Sequence, residues 1–302
     1  MKLEGIHHVS SITGNAQANV DFYAGVLGLR MVKKTVNQDD PTVYHLFYGD
    51  DAGSPGFDLT FFEYPGAAPG RAGQGMIHRI VLRVGSEAAL DFWERRLQHG
   101  GRTRGSLLFE DPEGLGLELR VVETGDVPLT ARHHDIPPES AIQGFEEVRA
   151  FTSDPERSRS LFENGLAFTR DGGMSWMARG DRRGGRYVFD PAPAEPGIPG
   201  AGTVHHVAWA SLDDEQVAWR DRVIDQGARP TPVIDRFWFK SVYFREPSGV
   251  LFEIATMGPG FAVDEDPEHL GEKLVLPPRF EQLRSQLERT LTPIHAPAGA
   301  RS

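Results

Sequence analysis

No cysteine occurs anywhere in the 302-residue chain. Disulfides and thiolate-bound zinc are therefore excluded, and any metal must sit on histidine and carboxylate. The lack of cysteine also fits a reducing, cytoplasmic compartment. Positive charge is scarce too: 32 Lys and Arg stand against 43 Asp and Glu, a formal net charge of −11. Nucleic acid and anionic membrane surfaces are bound by clustered basic residues, so neither partner is expected. No apolar run approaches the roughly 20 residues that span a bilayer. No charged-then-apolar leader precedes the first strand pattern. Wholesale disorder is not expected either, because 39% hydrophobic and 10% aromatic residues support sizeable cores.

What the chain does have is internal repetition. In the first copy, residues 4–10 read as a strand. Residues 15–27 read as a helix capped by Asn15 and ended at Gly28. Strand-like runs follow at 31–36, 43–48 and 57–62, between Asp, Gly and Pro turns. The second copy has a strand at 76–84, a helix at 87–98, and strands at 103–109 and 115–122. The third starts at Gly144, with a helix at 155–164 and short, glycine-interrupted strands up to Phe189. The fourth has a strand at 203–210, a helix at 213–226, and strands at 232–235, 241–245 and 250–256. The expected fold is α+β, four βαβββ modules plus a C-terminal helix. The expected division is 1–124 (modules one and two), a linker at 125–143, 144–262 (modules three and four) and a tail at 263–302. The tail helix, 279–291, carries Phe280, Leu283, Leu287 and Leu291 on one face and is expected to pack back on the body. Asp264-Glu265-Asp266 reads as a solvated turn, and the chain from His295 onward as frayed.

Two repeats carry paired histidines, Ile6-His7-His8-Val9 in the first and Val204-His205-His206-Val207 in the fourth. Alternate side chains of a strand point to opposite faces. One histidine of each pair can therefore face a metal while its neighbour points elsewhere. Glu253 adds a carboxylate on a third strand. Superposing the repeats decides which copies meet. Asp111-Pro112-Glu113-Gly114 lies over Glu246-Pro247-Ser248-Gly249, and four residues after each glycine stands a glutamate, Glu118 or Glu253. The same offset from Gly56 gives Thr60. The position of His8 is held by Arg79, Glu147 and His206 in the later copies. Copies one and four thus hold His8, His206 and Glu253, with Thr60 in the fourth place. Copies two and three hold Arg79, Glu147 and Glu118, a salt-bridging set without an imidazole. The expected pairing is nested: one with four carries the metal site, two with three a vestigial one. A lone strand histidine is more often packed or solvated than a ligand, but two pairs at equivalent positions argue the other way. His78 aligns with His7 and reads as structural; His133-His134 in the linker read as solvated.

Four such modules, with a histidine opening one and a histidine and glutamate in another, resemble the vicinal oxygen chelate superfamily of glyoxalases, bleomycin resistance proteins and dioxygenases. Within it the chain is similar to hydroquinone-type ring-cleaving dioxygenases over nearly its whole length. The most specific matches are Ile6-His7-His8-Val9, Tyr44-His45-Leu46, Val204-His205-His206, and residues 235–253 and 261–266. The resemblance implies that His8, His206 and Glu253 bind Fe(II), with Mn(II) as the alternative metal. It also implies that His205, Tyr243 and Arg236 serve the reaction as supporting or substrate-facing residues.

The implied activity is extradiol-type opening of a hydroquinone- or catechol-like ring by O2, in a cytoplasmic oxidoreductase of aromatic catabolism. Two imidazoles and one carboxylate leave about three coordination positions for ring oxygen and O2. A phenol proton must leave, and histidine titrates near neutrality. His205 is therefore the candidate acid–base group, although strand alternation turns it away from His206. Tyr243 would donate a hydrogen bond to bound oxygen, and Arg236 would orient an anionic substrate or stay on the rim. Phe237, Trp238 and Phe239 could form an aromatic wall, with His45 near the mouth. The fold alone does not name a reaction. A redox-silent glyoxalase-like isomerase or lyase is one alternative, although Thr60 stands where such enzymes often use a fourth carboxylate. A resistance protein that sequesters a small molecule is another, although the retained triad weighs against it. The expected partners are a small aromatic substrate and O2, and exposed strand edges are compatible with a homodimer.

Overall fold

The structure, a computed structural model, describes residues 1–295. Each repeat folds into a strand, a helical segment and three further strands. The first gives β1 (Ile6–Thr13), α1 (Ala16–Val20) running into a π-helical turn (Asp21–Val26), β2 (Arg30–Val36), β3 (Tyr44–Gly49) and β4 (Asp58–Glu63). The second gives β5 (Ile77–Val84), α2 (Glu87–Leu97), β6 (Gly101–Thr103), β7 (Ser106–Glu110) and β8 (Gly116–Val121). The third gives β9 (Phe145–Thr152), two irregular helical turns, β10 (Thr169–Arg170), β11 (Ser175–Arg179) and β12 (Gly184–Pro191). The fourth gives β13 (Thr203–Ser211), α3 (Gln216–Asp225), β14 (Ile234–Asp235), β15 (Lys240–Arg245) and β16 (Leu251–Thr256).

Two eight-stranded sheets result, in the orders β14-β15-β16-β13-β1-β4-β3-β2 and β10-β11-β12-β9-β5-β8-β7-β6. The pairing is nested: modules one and four join through β1 and β13, and modules two and three through β5 and β9. Both acid-Pro-x-Gly turns fold alike. Gly114 (φ 88°) and Gly249 (φ 119°) take a backbone that favours glycine. The acid of each turn accepts the amide four residues on, Leu115 to Asp111 at 2.8 Å and Val250 to Glu246 at 3.0 Å.

Register sorts the side chains by face. In the first sheet, Ser10 lies opposite His206 and beside Thr60, and Glu253 lies beside Ala208 and opposite Tyr243. These residues share one face, with His8 and Phe47. The other face buries Val9, Leu59, Phe61, Val207, Trp209, Phe252 and Ile254 under the helical segments. Phe162 of the third module stacks on Phe252 of the fourth, centroids 5.8 Å apart, so the core runs between the sheets.

Departures from the expected elements have local causes. Gly105 (φ 78°) splits the strand expected at 103–109 into β6 and β7. The third helix, 155–164, is replaced by a 3₁₀ turn at Pro155–Ser158 and a π turn at Leu161–Gly165. So short a segment does not hold a regular helix by itself, and burial of Leu161 and Phe162 fixes it instead. The tail helix forms as Pro278–Leu283 (3₁₀) followed by α4 (Arg284–Thr290). Leu287 and Leu291 are buried, and Phe280 and Leu283 pack against the same core. Of the segment expected to fray, His295 pairs its backbone N–H and carbonyl with the Gln17 side chain; the rest lies outside the described residues.

Candidate metal centre

The seam between β1 and β13 is interrupted at two places, and both interruptions fall on a histidine. Ile6 and His8 oppose Trp209 and Ala208, so His7 is an extra residue on β1. Ser10 and Ser11 oppose His206 and Val204, so His205 is an extra residue on β13. Bulges re-aim side chains. Neighbouring imidazoles that a regular strand would separate therefore touch, His7 Nδ1 to His8 Nδ1 at 2.9 Å and His205 Nδ1 to His206 Nδ1 at 2.8 Å. The expectation that alternation turns His205 away from His206 is corrected by this bulge. The second sheet repeats the device, with His78 and Glu146 as its extra residues.

His8 Nε2, His206 Nε2 and Glu253 Oε2 converge. The nitrogens are 3.1 Å apart and lie 3.1 and 3.0 Å from the carboxylate oxygen. All three side chains are buried. His7 fixes the tautomer of His8. Its Nε2–H donates to the Thr256 carbonyl oxygen at 3.1 Å, so its Nδ1 accepts the Nδ1–H of His8. His8 Nε2 then aims a lone pair at His206 and Glu253. Among the described residues Glu253 Oε1 has no hydrogen-bond donor, and Oε2 has only the two imidazole nitrogens beside it; what faces that oxygen from His8 is a lone pair. Burial resists ionisation of Glu253, yet positive charge at the imidazoles would hold its carboxyl well below the usual carboxylate range. Burial also lowers the pKa of His206, against the pull of Glu253. A divalent cation satisfies all three groups at once, and a two-nitrogen, one-oxygen set suits a first-row transition metal.

A cavity of about 40 Å³ opens over the triad. Phe47, Phe62, Phe239 and Trp238 wall it, and His45 sits between Phe47 and Phe62 at centroid distances of 4.0 and 4.2 Å. Thr60 bonds Ser10 Oγ at 2.6 Å and His45 Nε2 at 2.9 Å, so hydroxyls take the place of a fourth carboxylate. Asn37, Gln38, Asp39 and Arg236 form the rim. Arg236 donates two bonds to Asp39, at 3.0 and 2.9 Å, and its guanidinium lies 5.2 Å from the Tyr243 ring centre. Asp39 is held below its ordinary pKa by that partner. Gln38 donates to the Arg236 carbonyl oxygen at 2.7 Å. Tyr243 stands edge-on to His206 with its hydroxyl pKa raised, first by burial and then by Glu253. His205 is exposed, yet partial burial and His206 still push its pKa down to about 4.

The structure brings His8, His206 and Glu253 together and sets Tyr243, Arg236 and His45 around them. Trp238 and Phe239 line the cavity; Phe237 instead faces a larger groove of about 1120 Å³ under the tail, remote from the imidazoles. Sequence reasoning left His7 without a role, although the doubled histidine was its signal. Asp39 carried no signal, because its partner is 197 residues away. The expectation of a solvated Asp264–Asp266 turn fails at two positions: Asp264 and Glu265 pair with buried Lys33. Copies two and three form the expected ion network, Arg79–Glu118–Arg120–Glu147–Arg149. His78 bonds Asp190 at 2.8 Å and stacks on Phe151. His133 is half-buried rather than solvated. His133, His134 and Asp135 also have the reach of a ligand set, but the last two are exposed.

The sequence profile of the Glyoxalase/Bleomycin resistance protein/Dioxygenase superfamily matches residues 5–119 and 144–254. The chain is 40% identical over 315 residues to "Putative ring-cleaving dioxygenase MhqA" of Bacillus subtilis (strain 168), covering 97% of this chain and 100% of that protein. It is 33% identical over 314 residues to the chlorohydroquinone/hydroquinone 1,2-dioxygenase of Sphingobium indicum, covering 96% of each. A crystal structure of a "putative dioxygenase" from Bacillus subtilis superposes with a TM-score of 0.88 at 40% identity, over 98% of both chains. The chain therefore belongs to the Glyoxalase/Bleomycin resistance protein/Dioxygenase superfamily, and within it stands with the ring-cleaving dioxygenases.

Proposed function

We propose that the protein is a non-haem Fe(II)-dependent, extradiol-type dioxygenase that opens hydroquinone- or catechol-like rings with O2. The observation that carries this reading is the convergence of three buried donor atoms, His8 Nε2, His206 Nε2 and Glu253 Oε2, beneath an aromatic-walled cavity. The names of the relatives support it. Thr60, tied up by Ser10 and His45, favours a three-ligand metal over a four-ligand glyoxalase centre. Bound there, Fe(II) would act as a Lewis acid that lowers a phenol pKa and keeps ring and O2 adjacent.

The chain's own residues do the remaining work. Phe47, Phe62 and Phe239 take the ring faces and exclude water. Arg236 is already neutralised by Asp39, so among the described residues the cavity offers no free cation and suits an uncharged ring. Tyr243 stays protonated at neutral pH and has its O–H to donate. His205 is neutral at pH 7, faces solvent and touches His206, which leaves it open to carry a phenol proton to solvent, although a pKa of about 4 makes it a weak base.

The test is to load the protein with Fe(II) without oxygen, add substituted hydroquinones and catechols, and then admit O2. Oxygen consumption matched by a ring-opened chromophore is expected. No uptake with any ring, together with thiol-adduct isomerisation by the Ni(II)- or Zn(II)-loaded protein, overturns the proposal.

A further inference from the structure

We infer that Asp264, held by the buried Lys33, is a positioning residue that acts through Trp238 to set the aromatic wall facing a ring substrate. The inference rests on the ring-cleaving reading above. Lys33 lies on β2 opposite Phe47, with its side chain fully buried. Its ammonium has three N–H groups and meets three acceptors: the Phe261 carbonyl oxygen at 3.1 Å, Asp264 Oδ1 at 2.9 Å, and the Glu265 carboxylate.

Two of these contacts lead to the cavity. Asp264 also accepts the indole N–H of Trp238, at 3.0 Å. Phe261 sets its ring edge against Phe47, centroids 5.1 Å apart. Trp238 and Phe47 both line the cavity, one from each module. The ammonium also lies 5.1 Å from the Trp238 ring centre, within cation–π range. One buried cation therefore holds the tail, and through it both walls.

The loop that carries Trp238 needs such a hold. Phe237 has φ 75°, a left-handed backbone that is strained for a bulky residue. The Arg236 amide donates to the Phe239 carbonyl oxygen at 2.9 Å across it, and the Gly260 amide donates to the Trp238 carbonyl oxygen at 2.9 Å from the tail. Stability alone is a weak reason for the ion cluster, because a buried charge loses its hydration and an apolar isostere often serves as well. Geometry at Trp238 supplies the reason.

Asp264 and Glu265 separate the two explanations. Both pair with Lys33, but only Asp264 touches Trp238; Glu265 accepts the Gly271 amide instead. The experiment compares wild type, Asp264→Ala, Glu265→Ala and Trp238→Phe, all metal-loaded, for anaerobic hydroquinone binding. Metal content and 15N-indole hydrogen exchange are measured on the same samples. Asp264→Ala and Trp238→Phe are expected to weaken hydroquinone binding roughly tenfold with metal content unchanged, and the double variant to lose no more than either single one. Glu265→Ala should leave hydroquinone affinity unchanged. The Trp238 indole N–H, identified by its loss in Trp238→Phe, should exchange faster in Asp264→Ala and not in Glu265→Ala. Equal losses of hydroquinone affinity in Asp264→Ala and Glu265→Ala, or no loss in Asp264→Ala, overturn this inference alone. A wild type that binds no ring overturns the ring-cleaving reading and this inference with it.

Discussion

Each converging histidine leans on the histidine before it, and that contact divides the labour within the pair. His206 carries one of the three donor atoms. His206→Ala should therefore empty the site, with metal content by mass spectrometry and turnover falling together. His7 offers no donor atom but orients His8, with Thr256 behind it. Such outer partners contribute about 10–100-fold to metal affinity, so His7→Ala should weaken binding by that order in a metal titration and leave the fold intact. His205 supports His206 yet faces solvent. His205→Ala should keep its metal and turn over roughly 10²–10⁴-fold more slowly, the range of general acid–base catalysis. A His205→Ala enzyme as fast as wild type removes that role. The doubled histidines were visible as a pattern. Their mutual contact was not, because it depends on bulges that arise only when β1 meets β13.

At the scale of elements, the rim decides access. The β2–β3 loop supplies Gln38 and Asp39, the β14–β15 loop supplies Arg236, and their bonds tie the two loops together at the cavity's rim. At about 40 Å³ the cavity is tight for a six-membered ring, so loosening this rim should ease a substrate's entry. Asp39→Asn weakens the bidentate pair. Stopped-flow binding of hydroquinone should become faster, and a carboxylated ring should gain affinity as Arg236 loses its counter-charge. Unchanged association would mean that the ring enters elsewhere. Helix caps were readable at this scale: Asn15 accepts the Ala18 amide at 3.1 Å, as its position before an amphipathic run suggests. The third helix was not, because its Phe162 is fixed by Phe252 from another module.

For the whole molecule, the segment between β8 and β9 fastens the second sheet. Asp126 accepts from Arg83 at 2.7 Å, from Arg179 at 2.5 Å and from the Gly184 amide at 3.2 Å. Burial would raise its pKa, but the two guanidiniums reverse that and hold it to about 2. The folded pKa thus lies below the unfolded value, about 3.9 for Asp. The stabilisation is complete above pH 4 and is lost as pH falls through 2. By linkage, and allowing for solvent screening, it is worth on the order of 1 kcal/mol. Asp126→Asn should lower Tm at pH 7, and the gap to wild type should close between pH 4 and 2; a gap independent of pH would contradict this origin. Nested pairing has a further consequence. A fragment of residues 1–143 holds β1 without β13 and lacks His206 and Glu253. It should bind no metal by titration until residues 144–302 are supplied.

The sequence by itself determined the repeats, the strand that carries each donor and, through equivalent positions in the four copies, which modules had to meet. Those are local patterns, since a strand period, an acid-Pro-x-Gly turn or a doubled histidine is written within a dozen residues. Only the tertiary structure decided the bulges that turn His7 and His205 onto their neighbours, the Asp39–Arg236 rim and the burial of Lys33 against Asp264. Each of these depends on the separation and register of backbones nearly 200 residues or more apart in the chain, and no local pattern encodes that distance.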